Sequence, residues 1–246
     1  MNKSSGQYDP KQYWERRLSA NFDLRGVGHI SFGQGYNKWL YRRKRAVIER
    51  FFGGTPLSGK HVLDIGCGTG FFVAYYLSKG AHVFGLDITE VSVKQLQARY
   101  PGTFLTQDIG STTYRPPRKF DIVNVWDVLY HVTDDDAFEV AIGNIASSIV
   151  PGGLLLLDDY LADPEDTRIG GHVKGRNLAT YRRALARLGF KLIQTAPLYR
   201  MLDRGHFGRY DNYLAPVYFA LDMRTTRMEP GNICFSGWRY EPDSAA

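Results

Sequence analysis

The segment Val62-Leu63-Asp64-Ile65-Gly66-Cys67-Gly68-Thr69-Gly70-Phe71-Phe72 restricts the possible folds more than any other stretch of the chain. An apolar strand runs into an acid, alternate glycines make a tight turn, and an apolar helix follows. Glycine permits positive φ and a close approach of backbone to ligand, both of which a β-carbon forbids. The amides that open the following helix can face a carboxylate or a phosphate. Such a corner belongs to a parallel α/β sheet. A dinucleotide-binding turn reads G-x-G-x-x-G, whereas this one reads G-x-G-x-G with Asp64 shortly before it. That spacing disfavours a nicotinamide-dependent oxidoreductase.

With 246 residues, 43% of them hydrophobic, the chain can bury one substantial core. Its longest apolar runs, such as Leu154–Leu157, are strand-sized, so no membrane span is expected. The N-terminal residues lack the apolar region of a signal peptide. The two cysteines, Cys67 and Cys234, form no C-x-x-C pattern, which points to a reducing, cytoplasmic setting. A net charge of +6 raises the question of nucleic acid, and the densest basic run is Lys38 to Arg45. Its plain reading is a solvated helix face; an anionic partner is the alternative.

Strand and helix signals alternate along the chain, as in a mostly parallel sheet with helices on both faces. Strands are expected at His61–Ile65, His82–Leu86, Thr103–Thr106, Phe120–Val125 and Leu154–Asp158, with late strands at Phe190–Thr195 and Tyr213–Leu221. Helices are expected at Phe71–Lys79, Glu90–Tyr100, Asp135–Ile149 and about Asn177–Leu188. Val150-Pro151-Gly152-Gly153 stops the third of these. Tyr160–Arg176 reads as a loop above the sheet edge. The organisation expected is an N-terminal helical segment over residues 1–52, one α/β domain over 53–240, and a tail over 241–246.

Several signals fall in a fixed order over residues 60–160. Asp87 closes the second strand about twenty residues past the glycine turn, where an acid can accept hydrogen bonds from ribose hydroxyls. Gln107-Asp108-Ile109 follows the third strand, Phe120 to His131 carries the fourth strand into a helix, and the Pro-Gly-Gly turn precedes the fifth. Together these resemble the motifs of class I S-adenosylmethionine (SAM)-dependent methyltransferases, and more narrowly bacterial small-molecule methyltransferases of the broad type 11 group. The resemblance implies a Rossmann-like, seven-stranded α/β sheet, mostly parallel, whose last strand is antiparallel, with an N-terminal helical cap. It implies SAM as methyl donor and S-adenosylhomocysteine as product. It assigns cofactor contacts to Asp64, Gly66, Cys67, Gly68, Gly70, Phe71, Asp87, Ile88, Gln107, Asp108, Ile109, Val125 and Trp126. Asp64 can alternatively organise the turn, and Asp121 reads as a fold-stabilising residue.

An acceptor should lie above the C-terminal ends of the fourth and fifth strands. Asp127, Tyr130, Asp158, Asp159 and Tyr160 are therefore the substrate-binding candidates. His131 and His172 are the candidate bases, because histidine titrates near neutral pH. For each, a packing or loop-anchoring role stands as the alternative. Tyr13 and Trp14 of the aromatic N-terminal segment are candidates to touch cofactor or substrate beneath a closing cap.

The resulting expectation is in-line methyl transfer, without a metal, to an oxygen of a small polar metabolite or natural product. A small amine is the alternative acceptor. Asn124-Val125-Trp126-Asp127 is not the (N/D)-P-P-(Y/F/W) of base-amino methylation, and no Pro-Cys pair occurs for pyrimidine carbon. RNA, protein and a non-catalytic SAM-binding role therefore rank lower, and the oligomeric state is left open.

Overall fold

The computed structural model describes residues 8–202 and 205–242. The chain opens with α1 (Pro10–Ala20), α2 (Leu24–Val27) and α3 (Gln34–Phe52). Alternation follows through β1 (His61–Ile65), α4 (Phe71–Ser78), β2 (His82–Asp87), α5 (Glu90–Arg99), β3 (Thr103–Thr106), β4 (Phe120–Val125), α6 (Asp135–Ser147) and β5 (Ile149–Asp159). A short hairpin, β6 (Thr167–Ile169) and β7 (Val173–Gly175), precedes α7 (Leu178–Ala186), β8 (Phe190–Pro197), α8 (Asp211–Asp222) and β9 (Cys234–Tyr240). The 243–246 part of the expected tail lies outside the described residues. No helix of the described residues is long and apolar enough to cross a membrane.

Seven strands form one sheet in the order β3-β2-β1-β4-β5-β9-β8. β9 inserts antiparallel between β5 and β8, as expected for the last strand. Alternate residues of the central strands feed opposite cores. Val62, Ile122 and Leu156 face the core shared with α3 and α4, whereas Leu63, Val123 and Leu155 face the one shared with α6 and α7. Both faces are covered, so β1 and β4 are buried almost without interruption. Side-chain caps fix where the helices begin: Asp9 for α1, Asp134 for α6 and Asn177 for α7. Asp121 accepts the His61 N–H at 2.8 Å, which ties β4 to β1 as a structural residue.

Three expectations are corrected. Tyr213–Leu221 is helix α8, and the antiparallel strand is Cys234–Tyr240. Nearly every position from 213 to 221 is apolar, so a period of two fits as well as one of 3.6. The buried residues Asp211, Ala215, Tyr218 and Asp222 follow the helical spacing. Tyr160–Arg176 contains the β6–β7 hairpin, so it is not a plain loop. The Pro-Gly-Gly turn lies within β5 as an irregularity of the β4–β5 register, and α6 ends before it.

The Lys38–Arg45 run also departs from a solvated face. Arg43 and Lys44 are each only 3% exposed. Arg43 donates to the Pro197 and Leu198 carbonyls at 2.9 and 2.8 Å, whereas Lys44 reaches the ends of β4 and β5.

Candidate functional site

A cavity of about 700 Å³ opens above the C-terminal ends of β1, β2, β3 and β4, with α1 and the β6–β7 hairpin on its other sides. Its size suits a small-molecule site. The glycine turn supplies its floor. Gly66 and Gly68 hold φ of 71° and 49°, and a β-carbon on Gly66 would sit 2.2 Å from Val128 Cγ2. The turn therefore admits no side chain at its tightest point.

Asp87 stands beside it. Its Oδ2 accepts the Gly68 N–H at 2.8 Å, and its Oδ1 accepts the Thr89 N–H at 2.9 Å and hydroxyl at 2.7 Å. Burial pushes its pKa up, and these hydrogen bonds oppose the shift. Ile88, Gln107, Asp108 and Ile109 continue the wall. Gln107 Oε1 is buried without a hydrogen-bond partner. A ligand N–H donor would satisfy it, because an unpaired buried acceptor is costly.

Trp126 closes the opposite side, its ring stacked between Phe72 and Phe235 at 5.2 and 5.6 Å. Asp127 follows with φ of 58°, a left-handed conformation unusual outside glycine. Its carboxylate gathers donors from distant elements. Tyr130 donates to Oδ1 at 2.7 Å, and Lys44 of α3 pairs with Oδ2. The Lys44 ammonium also lies 3.5 Å from Asp158 Oδ2. Burial opposes charge on Asp127, but the Lys44 ammonium and the hydrogen bonds of Lys44 and Tyr130 outweigh it and hold its pKa low. Asp158 is driven well upward, mainly by burial, and its Oδ1 accepts the Asp127 N–H at 2.8 Å. The pair therefore favours the charge on Asp127, at the cavity wall, over the charge on Asp158 behind it.

His131 lines the cavity within van der Waals reach of the cap. Its ring meets Trp14 edge-on at 5.0 Å and stacks on His172 at 5.8 Å. Nδ1 lies 2.8 Å from the His172 carbonyl oxygen. A carbonyl can only accept, so Nδ1 carries the proton. Burial pushes the His131 pKa down to about 4, so the ring is neutral at pH 7 and Nε2 bears a lone pair.

The residues expected from sequence separate into two groups. Trp14, Gly66, Gly68, Asp87, Ile88, Gln107, Asp108, Ile109, Trp126, Asp127 and His131 line the one cavity. Tyr13, Asp64, Cys67, Gly70, Phe71, Val125, Tyr130, Asp158, Asp159, Tyr160 and His172 stand outside its lining. Tyr13 stacks on His172 at 5.3 Å behind Trp14, and His172 meets His131 through its carbonyl and ring face. Asp64 turns into the core and accepts from Asn124 Nδ2 at 2.7 Å, where burial pushes its pKa up to about 7. Cys67 is buried beside Ser92, and burial drives its thiol pKa well upward, so it behaves as a small turn residue. Asp159 is buried among Tyr181 OH at 2.6 Å and the amides of Tyr160 and Arg176.

Sequence reasoning missed Tyr8, Tyr41, Lys174 and Arg168, which also line the cavity, and Lys44 behind it. Tyr41 and Lys44 share the inward stripe of α3 with Leu40 and Val47, a period the sequence carries. Arg168 and Lys174 sit on the hairpin and bond Thr133 O at 3.2 Å and Asp135 at 2.6 Å. No local signal marks that pairing.

A family model described as a methyltransferase domain matches residues 36–195. The ubiquinone biosynthesis O-methyltransferase of Xylella fastidiosa (strain 9a5c) is 26% identical over 192 residues, covering 76% of this chain and 67% of that protein. The protein of the same description from Rhodopseudomonas palustris (strain BisA53) is 33% identical over 175 residues, covering 70% and 59%. Across the curated relatives it matches, the aligned chain spans from 40% to 68% of their own length. Among solved structures, magnesium protoporphyrin IX methyltransferase (ChlM) from Synechocystis PCC 6803 with bound SAM superposes with a TM-score of 0.64 at 20% identity, covering 97% of this chain and 100% of that one. N-methyltransferase NodS from Bradyrhizobium japonicum WM9 with S-adenosylhomocysteine gives 0.62 at 16% identity, covering 93% and 98%. At these identities the structural likeness shows the shared fold.

Proposed function

The chain belongs to the methyltransferase domain family, in its class I SAM-dependent form, and on that premise we propose that it methylates an oxygen atom of a small polar metabolite. The residues present fit the donor. The orphaned Gln107 Oε1 suits an amino group, and the pinned Asp87 carboxylate keeps a lone pair on Oδ2 for a ribose hydroxyl. Gly66 and Gly68 leave the floor free of side chains, and Trp126 and Ile88 supply apolar walls. Bound SAM supplies an already activated methyl group, so the chain's task is to orient the acceptor and to take its proton.

His131 is the residue we assign to that proton. The His172 carbonyl fixes its tautomer and leaves Nε2 as the acceptor. Because the ring is neutral throughout the physiological range, no proton must leave it before the reaction. With so low a pKa it takes the hydroxyl proton as the oxygen–carbon bond forms and not in an earlier equilibrium. Trp14 and α1 close over this region and exclude water, which strengthens every polar interaction beneath them. We assign α1, α2 and α3 as the cap of the 53–240 domain. Proximity in such a site can supply roughly 7–11 kcal/mol toward the barrier.

The single observation that carries the preference for oxygen is the neutral, tautomer-fixed His131 on the cavity wall. An oxygen acceptor must lose a proton during transfer, whereas a neutral amine attacks through its lone pair. The names of the curated O-methyltransferase relatives support the same reading. One observation favours a second reading: ionised Asp127 on the same wall would attract a cationic amine. A nucleic-acid substrate has little support, since Arg43 and Lys44 are used inside the fold. Both cysteines are buried thiols, in keeping with a cytoplasmic setting.

The test is transfer of labelled methyl from SAM into fractionated extract of the source cells, followed by NMR of the labelled compound. An O-methyl resonance in the small-molecule fraction supports the proposal. An N-methyl resonance moves the role from His131 to Asp127, and label confined to RNA or protein refutes a small-molecule acceptor.

A further inference from the structure

Helix α8 is built with its acids inside and its apolar residues outside. Tyr213, Val217 and Leu221 are 81%, 52% and 45% exposed, and Phe207 and Tyr210 just before the helix are 61% and 53% exposed. Asp211 and Asp222 of the same helix are 1% and 0% exposed. The acids are consumed by the loops they hold. Asp222 accepts the amides of Arg200, Met201 and Leu202 at 3.1, 2.9 and 2.9 Å, and Asp211 accepts Tyr218 OH at 2.8 Å. The inner face is thus fixed by hydrogen bonds, and the outer stripe is left exposed to solvent. A contiguous apolar stripe of this kind marks an interaction surface.

Among the described residues the charge around the stripe is mainly basic, with Glu229 paired to Arg200 at 3.6 Å as an acid beside it. Arg209 precedes the helix, Arg224 and Arg227 follow it, and all three are exposed. Along its flank, Trp39 of α3 meets Phe219 at 5.2 Å, with the Arg42 guanidinium 4.3 Å above the Trp39 ring. Lys38 is exposed one turn away, and no acid occurs between residues 29 and 48. Lys38 and Arg42 of the basic run therefore border α8 on its Phe219 side, and Arg45 turns instead to Glu49 and Tyr75.

We propose that this face docks the protein peripherally on an anionic phospholipid surface. The Tyr213–Leu221 stripe would rest at headgroup depth, and the surrounding arginines would lie among lipid phosphates. Tyrosine is suited to that level because its ring is apolar and its hydroxyl polar. Basic residues beside a short apolar helix face are the standard composition of an interfacial helix. A second copy of the chain fits less well, because a two-fold contact through one patch sets that patch against itself. Arg209, Arg224 and Arg227 would then meet like charges, whereas an anionic bilayer opposes all of them.

The experiment is flotation of the full chain with vesicles of phosphatidylcholine alone and of phosphatidylcholine doped with phosphatidylglycerol, at low and high salt. Expected is flotation with the anionic vesicles only, weakened by salt. Val217→Glu should abolish most of it while circular dichroism shows unchanged melting. Arg224→Gln with Arg227→Gln should weaken partitioning by roughly fivefold for each cation removed. Wild-type protein that stays in solution with anionic vesicles overturns the proposal, as does a Val217→Glu variant that floats equally well. A dimer in sedimentation equilibrium that Val217→Glu dissolves would also overturn it, by assigning the stripe to a second copy.

Discussion

Replacing Lys44 with Met tests the link between the N-terminal helices and the strand-end acids. The Lys44 side chain is 3% exposed, touches Asp127 and lies 3.5 Å from Asp158 Oδ2. Met keeps most of the volume and removes the ammonium. Asp127 then keeps Tyr130 OH and the end of the sheet but has no cation. Breaking one side of a buried pair costs roughly 3–5 kcal/mol. Asp127 can escape part of that cost by taking up a proton. In the variant its folded pKa would rise above the unfolded value of about 3.9, so stability is lost as pH climbs through that window, at about 1.4 kcal/mol per pH unit. The variant should therefore be destabilised by about 1 kcal/mol near pH 5 and by roughly 3–5 kcal/mol near pH 8. Asp127→Asn should cost less, because Asp158 Oδ2, 3.5 Å away, stays beside the ammonium as its carboxylate partner. The double variant should recover a coupling energy of roughly 1–3 kcal/mol. Urea unfolding followed by tryptophan fluorescence at both pH values measures this through the midpoint at constant slope. A midpoint shift equal at both pH values, or strictly additive single variants, would refute the pairing.

Further outcomes follow from the other buried groups. Asp64 and Asp159 are raised to about 7 and buried, so the native state binds protons that the unfolded chain releases near pH 4. Their contribution is complete below pH 4 and is lost as pH rises toward 7, and Asp159→Asn should remove on the order of 3–4 kcal/mol of that loss, read as a flatter melting-temperature profile between pH 4 and 7. His131→Phe should lower kcat by roughly 10²–10⁴-fold with SAM affinity by calorimetry little changed, and loss of SAM binding instead would give the ring a structural role. Because the His131 pKa is about 4, wild-type kcat should show no titration of this ring between pH 6 and 8. Gly66→Ala should destabilise by roughly 1–3 kcal/mol, since its β-carbon would sit 2.2 Å from Val128 at positive φ, and a melting temperature equal to wild type would contradict the packing.

The parts of the site legible in the sequence are those that depend on neighbours in the chain. The glycine turn, Asp87 at the end of β2 and Gln107-Asp108-Ile109 after β3 each carry their own local pattern, and parallel pairing brings them to one edge. Asp64 shows the limit of such reading. An acid before the turn has the same local pattern whether it faces a ligand or the core, and Asn124, 60 residues away, decides it. Asp158 and Asp159 are likewise adjacent acids at a strand end. Alternation sends one toward Lys44 and the other toward Tyr181, and neither lines the cavity.

The basic run shows what a helical period could have revealed. Residues advance about 100° each around a helix, so consecutive cations cannot all face water when one stripe of the helix is buried. Tyr36, Leu40, Val47 and Ile48 define the buried stripe of α3, and positions 43 and 44 fall on it between Leu40 and Val47. Arg42 and Arg45, on either side of that pair, are exposed. The partners could not be read in the same way. Arg43 reaches carbonyls 154 and 155 residues away, and Lys44 reaches a carboxylate 83 residues away. A buried cation must find an anion or carbonyls, so the period predicts that Arg43 and Lys44 have acceptors and tertiary structure alone supplies them. Lys44 meets Asp127 where β4 ends, so the strand end on the cavity wall is held by the helix that precedes the sheet, and a change in either reaches the other.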